Sequence, residues 1–254
     1  MTRGAPPRQA FTAFLLALVA ACSTVPVPSS ASDVGDPQAA WARVLATYVD
    51  TLGRVNFAAL ATHRSDLDRY VAYIAATSPD AIADPSWRLA YLINAYNALS
   101  MYNVLESGIP ERLDFFGRIQ FFRLKHVVVG GKAISLYDLE KEKIRSVGDE
   151  RVHFALNCMS VSCPRLPQVP FEGRTLDRQL DAAARAFFAE PRNLMIDRSR
   201  HEIWLSEILS FYKEDFLRRA PSLARYIDRW RSDNLPDNYE IRFFPYDWTI
   251  NRQP

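Results

Sequence analysis

The sequence has few of the residues on which many enzyme families depend. It contains three cysteines, four histidines and nine glycines among 254 residues. It has no glycine-rich phosphate loop, no dinucleotide-binding glycine pattern and no G-x-S-x-G motif, so we predict no cofactor. The formal net charge is only +2, which gives no electrostatic reason to expect nucleic acid as a partner.

The sequence also lacks an apolar run that is long enough to cross a bilayer. Its most apolar stretch, Phe11–Ala20, falls well short of the ~20 residues that a membrane-spanning helix needs. Arg3 and Arg8 precede this stretch, and Cys22 follows it closely. Basic residues, a short apolar run and small residues before a cysteine resemble the signal peptide of a bacterial lipoprotein. We therefore predict that residues 1–21 are a signal peptide and that Cys22 is the lipidation site.

The predicted lipid anchor leads to a predicted location. Residues 22–37 are rich in Ser, Pro, Val and Ala, so we interpret them as a flexible tether and expect no core residue before Ala39. Ser23, rather than an aspartate, follows the cysteine. We therefore expect a protein of the bacterial cell envelope, attached by its N-terminal lipid to the outer membrane and facing the periplasm.

Hydrophobic spacing predicts one α+β domain over residues 38–254, helix-rich and with a small antiparallel sheet built from hairpins. Asp84, Pro85 and Gly108 mark the ends of the most apolar helix. Helices are predicted over 39–52, 65–77, 85–107, 136–147, 175–188, 207–218 and 223–231. Hairpins are predicted from Phe121–Val129 with Lys132–Ser135 and from Asn193–Asp197 with Glu202–Leu205, and a last strand at Glu240–Phe244.

One short stretch, Arg151–Pro164, holds both remaining cysteines together with a histidine, an asparagine and two serines. We predict Cys158 as a nucleophile, because a thiol becomes reactive when its surroundings favour the thiolate. The candidate general base is His153. The neighbouring candidates for hydrogen bonding are Asn157, Ser160 and Ser162.

The partner of Cys158 is not fixed by spacing. His153 lies five residues earlier, so in a strand or a helix the two side chains point apart unless the chain bends between them. His126, on the first predicted hairpin, is a rival base, and Glu140 is a candidate to orient a histidine. Since His153, Cys158 and Cys163 offer no clear fourth ligand, we predict no metal site.

Two amides interrupt the most apolar helix. Asn94 and Asn97 are three residues apart, so they share one helix face. A buried amide without partners costs about 1–3 kcal/mol, so this face should meet polar groups. Two interpretations remain open: the amides contact a ligand, or they brace a nearby loop.

Several motifs together resemble the DUF547 family, whose function is unknown. The motifs are Leu92–Ala98, Ser107–Pro110, His153–Cys158 with Ser162–Pro164, Leu205–Leu209, Phe211–Tyr212, Asp215–Phe216 and Tyr246–Trp248. They span about Ala39 to Asn251. In plant members a cysteine stands at the position of Cys158 and a serine at that of Cys163. The resemblance therefore implies that Cys158 is the functional thiol and that no disulfide is obligatory.

Two hypotheses follow. The first is a thiol-dependent hydrolase or acyl transferase of the cell envelope, in which Cys158 attacks an acyl carbon. The second is a non-catalytic lipoprotein whose amide face and cysteine stretch bind a small polar molecule or a peptide. In both, we expect the two thiols to be reduced at rest, because the loop between Cys158 and Cys163 is short and a bond across it is open to strain.

Overall fold

A computed structural model describes residues 23–29, 35–236 and 238–254 of the chain. The predicted signal peptide and Cys22 lie outside the described residues. Within those described ranges, no helix is long and apolar enough to cross a bilayer.

The fold is α+β and rich in helix, as predicted. The α-helices are α1 (Pro37–Tyr48), α2 (Phe57–Thr62), α3 (Ser65–Ala76), α4 (Pro85–Glu106), α5 (Phe115–Ile119), α6 (Leu136–Asp138), α7 (Leu176–Ala189), α8 (Ile208–Phe211), α9 (Lys213–Leu217) and α10 (Leu223–Asp228). The strands are β1 (Ser23–Thr24), β2 (Lys125–Val129), β3 (Lys132–Ser135), β4 (Leu194–Asp197), β5 (Glu202–Ser206) and β6 (Glu240–Phe244). Wider π-helical turns extend α5 through Gln120–Leu124 and α6 through Leu139–Ile144.

Helix α4 is the centre of the larger core. Asp84 caps it by accepting hydrogen bonds from the backbone N–H groups of Ser86 and Trp87, and Pro85 occupies its first position. Every residue from Leu89 to Val104 is buried, so the helix is surrounded by other elements on all sides. The predicted cap, start and burial of this helix are confirmed.

Two three-stranded sheets replace the single antiparallel sheet that was predicted. Both predicted hairpins are present, as β2–β3 and β4–β5. Each hairpin gains a third strand in parallel orientation: β1 joins β2, and β6 joins β5. Parallel neighbours come from distant parts of the chain, so no local turn signal in the sequence announces them.

The beginning of the predicted tether is held against the domain. Ser23 and Thr24 pair with the first residues of β2, and the N–H of Val25 donates to the carbonyl of His126 at 2.7 Å. Val25 is buried in the larger core. The expectation that no core residue precedes Ala39 is therefore wrong, because an apolar residue in this segment reaches the sheet edge.

Two predicted elements differ in ways that affect the site. Residues 121–124 were predicted as strand but continue α5 as a π-helical turn. The predicted helix 207–218 is interrupted at Tyr212, which separates α8 from α9. This interruption lets the Tyr212 ring stack on the His153 imidazole, with 3.9 Å between the ring centres.

Two hydrophobic cores lie on either side of the cysteine stretch. The larger contains α1, α3 and α4, and the smaller contains β5 and the residues of α7 to α10 that face it. Phe154 belongs to the smaller core and Leu156 to the larger. The cysteine stretch therefore passes from one core to the other, and the candidate site lies where they meet.

Candidate functional site

A cavity of about 420 Å³ lies beside the cysteine stretch. Its walls are largely aromatic. The lining residues are Tyr96, Phe115, Arg118, Ile119, Phe122, Arg123, Tyr137, Glu140, Lys141, Arg145, His153, Leu156, Cys158, Cys163, Pro164, Ile208, Phe211, Tyr212, Tyr246 and Trp248. A concave, mostly apolar site with a few converging polar groups is typical of small-molecule binding.

The two thiols lie in contact on the wall of this cavity. The Cys158 and Cys163 sulfurs are 2.9 Å apart and unbonded. The Ser160 hydroxyl lies 3.2 Å from each sulfur, and the Tyr246 hydroxyl lies 3.2 Å from the Cys163 sulfur. The backbone N–H of Cys158 donates to the Cys163 sulfur at 3.1 Å. Cys163 therefore receives more hydrogen-bond donors than Cys158.

Buried amides hold the loop that carries the thiols. The Asn97 side chain donates to the carbonyl of Ala155 at 3.0 Å and accepts from the N–H of Asn157 at 2.8 Å. The Asn157 side chain accepts from the N–H of Met159 at 2.7 Å. Met159 has a φ of +67°, a strained conformation for a residue with a side chain. These bonds stabilise the sharp bend that brings Cys158 and Ser160 together.

The C-terminal segment closes the cavity from the other side. The N–H of Val161 donates to the carbonyl of Thr249 at 2.8 Å, and the N–H of Asp247 donates to the Ser162 hydroxyl at 2.9 Å. These bonds fix Tyr246 beside the thiols. The Tyr246 ring in turn packs on Trp248, with 4.4 Å between the ring centres.

The two thiols have opposite electrostatic surroundings. Burial favours the neutral form of Cys163, but hydrogen bonds from Cys158, Ser160 and Tyr246 outweigh it and lower the pKa of this thiol to about 6. The pKa of Cys158 is raised well above its ordinary value, because its S–H bonds to the Cys163 sulfur and because it is buried. These surroundings favour the proton on Cys158 and the negative charge on Cys163, and the two thiols titrate as a coupled pair.

His153 lines the same cavity and forms a dyad with Asp215. Its Nε2 lies 2.7 Å from the Asp215 carboxylate, which Arg145 also binds at 2.9 Å and Arg218 contacts closely. Burial works against ionisation of Asp215, but these partners lower its pKa far below the usual range. Asp215 therefore engages Nε2, and among the described residues Nδ1 has no hydrogen-bond partner.

One carboxylate lines the cavity directly. Glu140 is half-buried and accepts a hydrogen bond from the Tyr96 hydroxyl at 3.4 Å. Burial, and to a smaller extent the charge of Glu140, raises the pKa values of Tyr96 and Tyr212. Both hydroxyls therefore remain protonated at neutral pH and are available as hydrogen-bond donors.

The structure brings some of the predicted site residues together and separates others. Cys158, His153 and Glu140 line the cavity. The turn Glu150–Phe154, which carries His153, ends before the thiol loop begins, so both His153 and Cys158 can line one cavity. Ser160 reaches the thiols through its hydroxyl.

The remaining predicted site residues do not line the cavity. Asn97 and Asn157 brace the thiol loop as described. Asn94 braces another loop by bonding both backbone groups of Phe171, Ser162 binds the C-terminal segment, and His126 contacts the carbonyl of Leu124. The bracing interpretation of the α4 amides is therefore the one that the geometry favours.

Three residues of the site had no role in the sequence-based hypotheses: Tyr212, Asp215 and Tyr246. Tyr212 and Asp215 are three residues apart in a predicted helix, a spacing that places side chains on one face. An acidic residue on the apolar face of such a helix is a signal for a buried partner. No comparable local signal marks Tyr246, which reaches the thiols from 83 and 88 positions away along the chain.

Comparison with known proteins gives one match. Residues 83–188 match the model of the family described as "Protein of unknown function, DUF547". The matched segment holds α4, His153 and both thiols, whereas Asp215 and Tyr246 lie beyond it. No curated protein and no solved structure matches the chain. Residues 83–188 are therefore similar to DUF547, a family of unknown function.

Proposed function

We propose that this protein is a thiol-dependent hydrolase or acyl transferase that starts from the Cys158–Cys163 pair. The observation that carries the proposal is a pair of unbonded thiols, 2.9 Å apart, on the wall of a cavity that is also lined by His153, the histidine that Asp215 binds. Acyl transfer needs a nucleophile, a proton donor and hydrogen-bond donors for the oxyanion. Cys163, Cys158 and Tyr246 are available for these roles.

The reaction begins with a thiolate that needs no separate base. The Cys163 sulfur attacks the carbonyl carbon, forming a carbon–sulfur bond, and the Tyr246 hydroxyl donates a hydrogen bond to the carbonyl oxygen. The leaving group departs with the proton of Cys158. Water, or an acceptor alcohol or amine, then gives a proton to the Cys158 thiolate and attacks the acyl carbon, which releases the Cys163 thiolate. His153, held by Asp215, is placed to orient the attacking molecule through Nδ1.

A fluorescent thiol-directed activity probe tests this proposal on the purified domain. Labelling at the pair should proceed at least about tenfold faster than labelling of free N-acetylcysteine at pH 7, because a thiol of lowered pKa is mostly thiolate there. The double variant Cys158→Ser/Cys163→Ser is the control for labelling elsewhere. Labelling no faster than that of the free amino acid would overturn the proposal.

Oxidation should silence the site reversibly. Two thiols in contact are expected to form a disulfide when diamide removes their two electrons and two protons. Intact mass spectrometry should then show the loss of two hydrogen masses, and probe labelling should fall to the level of the double variant. Dithiothreitol should restore both. Unchanged labelling after stoichiometric oxidation of the pair would show that these thiols are not the reactive groups.

We further propose that the protein acts in the cell envelope as a lipoprotein. The support comes from the sequence before the described residues: two arginines, a short apolar run and a cysteine at its end. Acyl chains on Cys22 contribute about 0.8 kcal/mol for each CH₂ that enters the bilayer. Stable attachment at the outer membrane then needs no spanning helix.

Cys22→Ala should release the domain from the membrane. We expect loss of labelled palmitate and recovery of folded protein in the soluble fraction, because Ser23 and the pairing of β1 with β2 are retained. Ser29→Ala, which keeps the cysteine, should remain in the membrane fraction. If the Cys22→Ala protein resists a salt wash and stays with the membrane, the anchor is not a lipid on this cysteine.

A further inference from the structure

Within the described part of the chain, three cations of the cavity wall have no acidic partner. Among the described residues, Arg118, Arg123 and Lys141 form no ion pair, whereas Arg145 binds Asp215. Glu140 is the one carboxylate in the lining. The cavity wall therefore carries an excess of positive charge that the protein itself does not neutralise.

Two of these cations are held close together. The Arg123 guanidinium lies 3.8 Å from the centre of the Tyr137 ring, and the Lys141 ammonium lies 5.7 Å from the same centre. The two charged groups are thus within about 10 Å of each other. This distance is the Debye length at 0.1 M salt, so salt does not fully screen the repulsion between them. A bound anion would remove this repulsion and would form charge-assisted hydrogen bonds with both groups.

Aromatic rings connect the cationic wall to the thiols. The Arg118 guanidinium lies 4.8 Å from the centre of the Trp248 ring, and Trp248 packs on Tyr246, whose hydroxyl contacts the Cys163 sulfur. The Phe122 ring packs against the edge of Trp248 at 6.0 Å. Between the cations and the thiolate, the cavity therefore offers apolar surface suited to a hydrocarbon chain.

We propose that the substrate is an acyl compound with a phosphate or carboxylate group, whose anion is bound by Arg123, Lys141 and Arg118 and whose chain lies along Phe122 and Trp248. This inference rests on the proposed function for the identity of the reacting carbonyl group. It concerns binding, however, and is tested without turnover. The cations fix one end of the ligand, so the acyl carbon is directed towards the thiols.

Isothermal titration calorimetry with three probes tests the two halves of this proposal. Octyl phosphate carries both the charge and the chain, octyl glucoside carries the chain alone, and inorganic phosphate carries the charge alone. Octyl phosphate should bind at least about tenfold more tightly than either of the others at low salt. Added sodium chloride should reduce this advantage, because Arg123 and Lys141 are exposed and Arg118 is partly exposed, so salt screens their charges.

Charge variants locate the binding site. The double variant Arg123→Gln/Lys141→Gln should bind octyl phosphate no better than octyl glucoside. The matched control Lys132→Gln/Lys143→Gln removes the same charge from exposed positions outside the lining and should bind like the wild type. Equal affinity of the wild type for octyl phosphate and octyl glucoside would overturn the role of the cations, and equal affinity for inorganic phosphate would overturn the role of the chain.

An anionic lipid and a soluble acyl compound with a phosphate group share this chemistry. Binding to vesicles distinguishes between these two sources of the ligand. Sedimentation with phosphatidylcholine vesicles that contain phosphatidylglycerol, prevented by octyl phosphate, supports a lipid source. Octyl phosphate binding without such sedimentation supports a soluble one. Tight octyl phosphate binding with slow thiol labelling would support the ligand assignment and overturn the enzymatic function. Fast thiol labelling without a preference for the anion would support the enzymatic function and overturn the ligand assignment.

Discussion

Cys163→Ser is expected to reduce thiol alkylation at pH 7 by about 30-fold or more. The pKa of Cys163 is lowered to about 6, so most of this thiol is ionised at pH 7. Only a few per cent of an ordinary thiol is ionised at the same pH. The remaining Cys158 is buried, and burial disfavours its thiolate. Stopped-flow alkylation with iodoacetamide, followed from about pH 4 to about pH 9, measures both the rate of alkylation and the midpoint of its pH dependence.

The reciprocal variant provides the control. Cys158→Ser leaves Cys163 in place and replaces the S–H that bonds to its sulfur with an O–H, which can donate to the same sulfur, so fast alkylation should persist. The opposite result, in which Cys158→Ser abolishes reactivity and Cys163→Ser retains it, would assign the nucleophile to Cys158. That is the assignment that the family resemblance implies.

Asp215→Ala is expected to destabilise the fold by about 1–3 kcal/mol, because it leaves the buried His153 ring and the half-buried Arg145 guanidinium without the carboxylate that bonds to them. Asp215 is 5% exposed and binds His153, Arg145 and Arg218. Folding lowers the pKa of Asp215. Its carboxylate therefore contributes to stability at pH values above its pKa in the unfolded chain, and this contribution is lost as the pH falls through its pKa in the folded protein. Urea unfolding at pH 7 therefore measures the full effect.

Two further variants separate charge from packing. Asp215→Asn keeps the side-chain shape and should lie between the wild type and the alanine variant, because it removes the charge but can still bond to one partner. Asp233→Ala removes a largely exposed partner of Arg231 and should change stability by less than about 1 kcal/mol. Equal effects of Asp215→Ala and Asp233→Ala would show that the buried contacts of Asp215 contribute no more to stability than an exposed ion pair does.

Much of the fold could be predicted because its signals are local. The Asp84 cap with Pro85 marks the start of α4 in the sequence, and the structure has both in these positions. Both hairpins were located from their turns. The third strand of each sheet was not, because β1 and β6 pair with residues that are far away in sequence.

The candidate site was only partly predictable for the same reason. Cys158 and His153 were found because they are close in sequence and carry reactive groups. Asn97 has a polar amide, as a residue that contacts a ligand would. Only the position of the Ala155 carbonyl shows that this amide holds the thiol loop instead. The acidity of Cys163 depends on Tyr246, so no local pattern distinguishes the two thiols.

The docking of β1 bears on where the reaction would take place. Consecutive α-carbons are 3.8 Å apart, so a lipid on Cys22 would join the domain at the very edge of the first sheet, beside Lys125. Lys125 directly follows the helical turn that carries Phe122 and Arg123, two residues of the cavity wall. An anchored molecule would then stand in one orientation with its cavity near the headgroups. Its rate would depend on the number of substrate molecules per unit area of membrane rather than on their concentration in the surrounding fluid.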